Sequence, residues 1–139
     1  MWKIQLFKLN YDDREVKAVA DVVNSGWITM GEKTIEFEKK FGEFLGKDVK
    51  CTAVSSGTAA LHMALLALGI GIEDEVIIPS LTFVADINVV KMTGAAPVLA
   101  DSTSFEDWNI NPTEIEKKIT DRTKAVIVLH YAGYPCNMY

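Results

Sequence analysis

Two neighbouring stretches decide the fold: Ser55-Ser-Gly-Thr-Ala-Ala-Leu-His-Met-Ala-Leu-Leu-Ala-Leu-Gly-Ile70 and Asp74-Glu-Val-Ile-Ile-Pro-Ser-Leu-Thr-Phe-Val-Ala85. The first is a small polar turn followed by an alanine- and leucine-rich run, which predicts a helix over Gly57–Leu68. The second opens with Glu75–Ile78, which predicts a short strand, and continues into a helix over Thr82–Met92. Working outward, Val49–Val54 reads as a strand before the turn, and Pro97–Ala100 as a strand after the second helix. Asn111-Pro-Thr-Glu114 opens a further helix, with Asn111 as cap and Pro112 at the first helical position. Ala125–Leu129 reads as a buried-type strand. Alternation of this kind predicts an α/β fold with a mainly parallel sheet, flanking helices and right-handed crossovers.

Upstream, the pattern is purely helical. Asp12 followed by Glu15 has the spacing of a capping box, and Val16, Val19, Ala20 and Val23 share one face of a helix over 12–25 that Gly26 stops. A second helix is expected over 32–45, where Phe37, Phe41, Phe44 and Leu45 form an apolar stripe suited to packing against a core. The chain therefore divides into a helical segment, 1–48, and an alternating segment, 49–139. No helix is expected to follow the last strand, between His130 and Tyr139. A parallel sheet needs cover on both faces, so the sequence reads as part of a larger domain.

Formal net charge is −5 over 139 residues, which argues against a general affinity for nucleic acid or anionic membrane. Charges interrupt the first ten residues, unlike a signal peptide, and no run approaches the roughly 20 apolar residues of a membrane span. Cys51 and Cys136 fit neither a CxxC motif nor a disulfide framework, and no cluster has metal-ligand spacing. A cytoplasmic protein without a metal site is expected.

Four places could carry chemistry. At Ser55-Ser56-Gly57-Thr58, a glycine turn between strand and helix would aim open helix amides and hydroxyls at one point, which suits a phosphate. Ordinary capping by Ser56, with Gly57 serving the turn, fits the same residues. Gly26-Trp-Ile-Thr-Met-Gly31-Glu-Lys33-Thr34 nearly spells a P-loop, but Glu32 stands where the motif needs lysine and the segment follows a helix. Nucleotide hydrolysis is therefore rejected; Trp27 and Thr29 could line a substrate entrance or belong to a plain connection. Phe83 follows a strand, where ligands gather in open parallel sheets, and its ring could stack on a flat heteroaromatic group. It could equally be a core residue with Thr82 as a helix cap. His130 also follows a strand and could contact a ligand or serve as a structural histidine. His62, inside a helix, reads as structural.

The quoted stretches, taken together with Gly94-Ala-Ala-Pro-Val, Asp101, Trp108-Asn-Ile-Asn-Pro112, Thr120-Asp-Arg-Thr-Lys-Ala125 and His130-Tyr-Ala-Gly-Tyr-Pro135, resemble the DegT/DnrJ/StrS-type sugar aminotransferases. Gly26-Trp-Ile-Thr-Met-Gly31 is similar to the entrance loop of that family. The similarity runs along nearly the whole chain but only about the first third of a family member. It implies a partial fold-type I large domain that binds pyridoxal phosphate (PLP). Ser56, Gly57 and Thr58 would then hold the cofactor phosphate, Phe83 would stack on the pyridine ring, and Trp27, Thr29 and His130 would lie near the substrate.

The resemblance also implies a homodimer that transfers an amino group, commonly from glutamate, to a nucleotide-linked keto sugar. In the family a lysine anchors PLP and an acidic residue pairs with its ring nitrogen. Both are expected beyond Tyr139, since Lys91 and Lys124 do not sit in the family's lysine motif. No catalytic residue is therefore assigned, and the 139 residues alone are expected to be inactive. A sugar dehydratase of the same fold, or a non-catalytic remnant that binds phosphate or pairs with another subunit, are the alternatives. Two positions depart from the family pattern: Asp86, where many members carry threonine, and Asn111, where aspartate is common.

Overall fold

The computed structural model describes residues 8–46 and 48–138. They form two compact units, one ending at Ala53 and the other beginning at Val54.

The first unit holds α1 (Asp13–Ser25) and α2 (Glu32–Leu45). The capping box at the start of α1 is formed as its spacing predicts. Asp12 accepts the Arg14 N–H at 2.9 Å, and Glu15 accepts the Asp12 N–H at 2.8 Å. Gly26 ends the helix in the left-handed conformation that glycine adopts without steric cost. The aromatic stripe of α2 differs from expectation: Phe37 stacks on Phe41 at a centroid distance of 5.6 Å, Phe44 tilts against Phe41 at 6.4 Å, and all three stay exposed. Two helices supply too little apolar surface to bury both stripes.

Val49–Val54, expected as a strand, forms no ladder among the described residues. The β-branched pattern supplies strand propensity, but a strand also needs a backbone partner. This segment instead meets α2. The Ala53 N–H donates to Glu38 Oε1 at 2.7 Å, and the Val49 carbonyl oxygen lies 2.5 Å from where a Cβ on Gly42 would be.

The second unit contains α3 (Gly57–Ala67), β1 (Glu75–Pro79), α4 (Ala85–Thr93), β2 (Ala96–Ala100), α5 (Pro112–Lys118) and β3 (Thr123–Val126). The three strands form a parallel sheet in the order β2-β1-β3. β1 is central and wholly buried, and its side chains alternate between two cores. Val76 and Ile78 join Leu65 of α3 and Val89 and Val90 of α4 on one face. Ile77 joins Ala100 and Ile110 on the other, where Ile115 of α5 packs against them. Val76, Ile77 and Ile78 have no exposed surface, so each contributes about 1.5–3 kcal/mol of burial free energy. This is the expected α/β arrangement, a parallel sheet with helices on both faces.

Asn111 caps α5 by accepting the Thr113 N–H at 2.9 Å, with Pro112 at the first position. Two boundaries differ from the sequence expectation. β3 starts at Thr123 and gives way after Val126, although the Ile127 N–H still donates to the Ile77 carbonyl at 2.8 Å. α4 begins at Ala85 and not at Thr82, because the Thr82 hydroxyl bonds to the Asp86 carboxylate and caps no backbone amide. No described helix is long and apolar enough to cross a membrane.

Candidate functional site

All three strands point the same way, so the segments leaving them emerge at one edge of the sheet. That edge collects Ser80–Val84 after β1, Asp101 and Ser102 after β2, and the residues up to His130 after β3. The helices open toward it as well. α4 starts just beyond β1 and must run back to begin β2, so its N-terminus lies at the carboxyl edge. α3 packs along α4, and their C-terminal ends meet: Ile72 comes within 2.9 Å of an ideal Cβ on Gly94. The N-terminus of α3 therefore opens at the same edge. In this way the second unit places Ser56, Gly57, Thr58, Phe83 and His130 on one rim, as their positions after strands and before a helix predict.

At the start of α3, Ser56 accepts the Ala59 N–H at 3.1 Å and the Ser56 carbonyl accepts the Ala60 N–H. The N–H groups of Gly57 and Thr58 have no acceptor among the described residues. A Cβ on Gly57 would meet nothing within 4 Å. Capping by Ser56 is thus real but incomplete. It leaves two donors, the positive end of an 11-residue helix and free space in front of them. These features suit a phosphate group.

The neighbouring end of α4 is arranged differently. Asp86, in its first turn, is 6% exposed and places a carboxylate against the helix N-terminus. This acidic side chain already answers the positive end of α4, so α3 is the helix left open to an outside anion. Phe83, two residues before α4, is a 72% exposed ring and not the core residue that the sequence also allowed.

Two further groups at the rim escaped the sequence reading. The Ser80 hydroxyl donates to Asp101 Oδ1 at 2.9 Å, and the Ser102 N–H donates to the same oxygen at 2.8 Å. These bonds, the backbone one foremost, hold the Asp101 carboxyl below its ordinary range. The bond from Thr82 to Asp86 was also missed, although its i, i+4 spacing is a visible signal. His130 accepts the Cys136 N–H through Nδ1 at 3.0 Å, which fixes the ring and leaves Nε2 as its free nitrogen. His62 lies within α3, where its Nε2 is buried without a partner among the described residues.

In the first unit, the connection between α1 and α2 lines a cleft of about 700 Å³ with Val22, Trp27, Ile28, Thr29, Met30 and Gly31. Trp27 Nε1 donates to the Met30 carbonyl at 3.0 Å. The indole lies so close to Gly31 that an added Cβ would come within 2.5 Å of it. The near-P-loop is thus a self-bonded helix–helix connection with Gly31 and Glu32 opening α2, and it presents an apolar ring to the cleft.

No group of His, Cys, Asp and Glu side chains among the described residues could hold a metal ion. Lys91 lies in the last turn of α4 and Lys124 near the start of β3, both toward the amino edge and away from Phe83.

The family model for DegT/DnrJ/EryC1/StrS aminotransferases matches residues 10–139. The chain is 43% identical over 136 residues to GDP-perosamine synthase of Escherichia coli O157:H7, covering 97% of this chain and 37% of that protein. A Streptococcus pneumoniae protein solved in apo, PLP and PMP forms superposes with a TM-score of 0.89 at 32% identity, covering 98% of this chain and 34% of that one. An aminotransferase from Psychrobacter cryohalolentis gives a TM-score of 0.83 at 37% identity, covering 91% and 32%. The chain belongs to the DegT/DnrJ/EryC1/StrS aminotransferase family. It spans about a third of the length of these relatives.

Proposed function

We propose that this chain supplies the phosphate- and ring-holding part of a PLP-dependent aminotransferase acting on a nucleotide-linked keto sugar. The observation that carries the reading is the open N-terminus of α3 on the same sheet edge as the exposed Phe83. The amides of Gly57 and Thr58, with the Ser56 and Thr58 hydroxyls, would hold the phosphate, and Phe83 would cover one face of the pyridine ring. When bound, PLP supplies an electron sink for moving an amino group from a donor such as glutamate to the sugar. Trp27 and Thr29 would receive the substrate. In the second unit, His130, pinned through Nδ1, would offer Nε2 to a ligand at the carboxyl edge of the sheet. The relatives solved with PLP and PMP support the cofactor, and GDP-perosamine synthase supports a nucleotide-linked sugar. The anchoring lysine and the carboxylate facing the ring nitrogen are proposed to come from sequence outside these 139 residues, with the active enzyme a homodimer.

The test compares PLP with pyridoxal, which lacks the phosphate, by amide chemical shifts of the 139-residue chain. PLP is expected to move the Gly57 and Thr58 amides and to bind about tenfold or more tighter than pyridoxal, as lost charge-assisted bonds would dictate. Borohydride reduction is expected to leave no single lysine labelled stoichiometrically. Equal affinity for the two compounds would sink the phosphate site, and stoichiometric labelling of one lysine would sink the placement of the anchor outside the chain.

A further inference from the structure

Phe83 is held from both sides by one residue pair. The Thr82 hydroxyl, immediately before it, donates to Asp86 Oδ2, and the Asp86 N–H donates back to the Phe83 carbonyl at 3.1 Å. The Asp86 side chain is buried in the first turn of α4, and Val89 and Val90, one turn further along, belong to the core behind it. No side chain caps α4, and its cap position, Val84, is itself helical; Ser80 ties the start of the turn to Ala100 and Asp101, and the Thr82–Asp86 bond is the side-chain tie that spans Phe83. Without the Thr82–Asp86 bond, the Ser80–Val84 turn would connect a rigid strand to a rigid helix with a large exposed ring at its tip.

We infer that Thr82 and Asp86 form a positioning bracket that sets the angle of the Phe83 ring toward a flat cofactor. This rests on the proposed PLP site and adds to it a role for two residues that touch no ligand themselves. The physical basis is entropy and geometry. A ring that must lie parallel to its partner gains from stacking only while its backbone is fixed, and loosening a supporting bond lets the ring sample unproductive angles. A carboxylate held in a desolvated turn makes a strong bond to a hydroxyl, and that bond spans Phe83.

The experiment uses the 139-residue chain labelled with fluorinated phenylalanine, the Phe83 signal being assigned through Phe83→Leu. Wild type, Thr82→Val and Thr82→Ser are compared for thermal midpoint, PLP titration, and the hydrogen-exchange rate of the Asp86 amide without ligand. In wild type, PLP is expected to move both the Phe83 fluorine signal and the Gly57 amide. In Thr82→Val, the melting point is expected to fall, because the buried Asp86 carboxylate loses its hydroxyl partner, while the Gly57 response persists; the Phe83 shift is lost, the Asp86 amide exchanges faster, and PLP affinity falls about two- to tenfold, the range of one aromatic contact. Thr82→Ser is expected to restore all three. An unchanged Phe83 shift and Asp86 exchange rate in Thr82→Val would overturn the bracket. A wild-type Gly57 response without any Phe83 response would overturn it while leaving the phosphate site standing. Silence at Gly57 would defeat the PLP reading, and the bracket's cofactor role with it.

Discussion

Glu75 and Arg122 are joined twice across the seam between β1 and β3. The Glu75 N–H donates to the Arg122 carbonyl at 2.8 Å, and the Arg122 guanidinium donates to the Glu75 carboxylate. That carboxylate is nearly buried and also accepts the Thr120 hydroxyl at 2.6 Å. One acidic side chain at the start of the central strand thereby fixes where β3 may begin, next to a register shift in the ladder. Arg122→Ala would leave the carboxylate with only the Thr120 hydroxyl. Because the guanidinium itself is largely exposed, the expected cost is about 1–2 kcal/mol, below that of a fully buried pair. Urea unfolding of the two chains measures it, and an unchanged midpoint would show that the pair adds nothing.

Gly42 is required by a close approach and not by its backbone angles. The Val49 carbonyl would lie 2.5 Å from an added methyl group, and backbone cannot yield as cheaply as a flexible side chain. Gly42→Ala is expected to push the 49–53 segment off α2 and weaken the bond from Ala53 to Glu38, despite the higher helix propensity of alanine. Hydrogen exchange at the Ala53 amide reads the outcome directly. Protection equal to wild type would refute the packing argument.

Gly57 presents the opposite case. Nothing in the chain comes within 4 Å of a Cβ there, so packing does not demand a glycine. Gly57→Val is expected to fold with a melting point close to wild type but to lose most PLP binding, since the side chain would enter the space before the α3 amides. A variant that folds and binds PLP as well as wild type would count against the phosphate site. Ser56→Ala, by contrast, is expected to cost about 1 kcal/mol of stability through the lost cap.

Glu36 offers a test by pH. Bonds from Lys40 and then Lys33 lower its carboxyl from the ordinary 4.5 to about 2. A carboxyl depressed in the folded state stabilises α2 fully above its unfolded pKa, and that stabilisation is lost as pH falls from about 4.5 toward about 2. The group is exposed, so the effect is small and sensitive to salt. A carbon-13 titration of the Glu36 carboxyl is expected to show the depressed midpoint, rising toward 4.5 in Lys40→Ala or in concentrated salt. A midpoint already at 4.5 in wild type would remove the bridge from consideration.

Much of the fold was legible because its signals are local. Asp12 with Glu15, Asn111 with Pro112, and Gly26 after an apolar stripe each act within one helical turn. The run at Glu75–Ile78, between two helical patterns, reads as a short strand of a parallel sheet, though its central place was not legible. The candidate site was legible in the same way, since a turn after a strand or before a helix places Gly57, Phe83 and His130 at one rim by topology alone. Val49–Val54 was misread because propensity is local, whereas pairing depends on whether another strand lies alongside.

The sequence by itself determined most of the helices and strands, the caps of α1, α3 and α5, and the parallel sense of the sheet, since these follow from backbone preferences over a few residues. Only the tertiary structure decided that Phe83 is exposed and not core, that Asp86 turns inward to Thr82, and that Glu75 is buried against Arg122. Each of these outcomes depends on what burial leaves accessible and on which partners meet in space. Burial and long-range hydrogen bonds exist only once the helices close over the sheet.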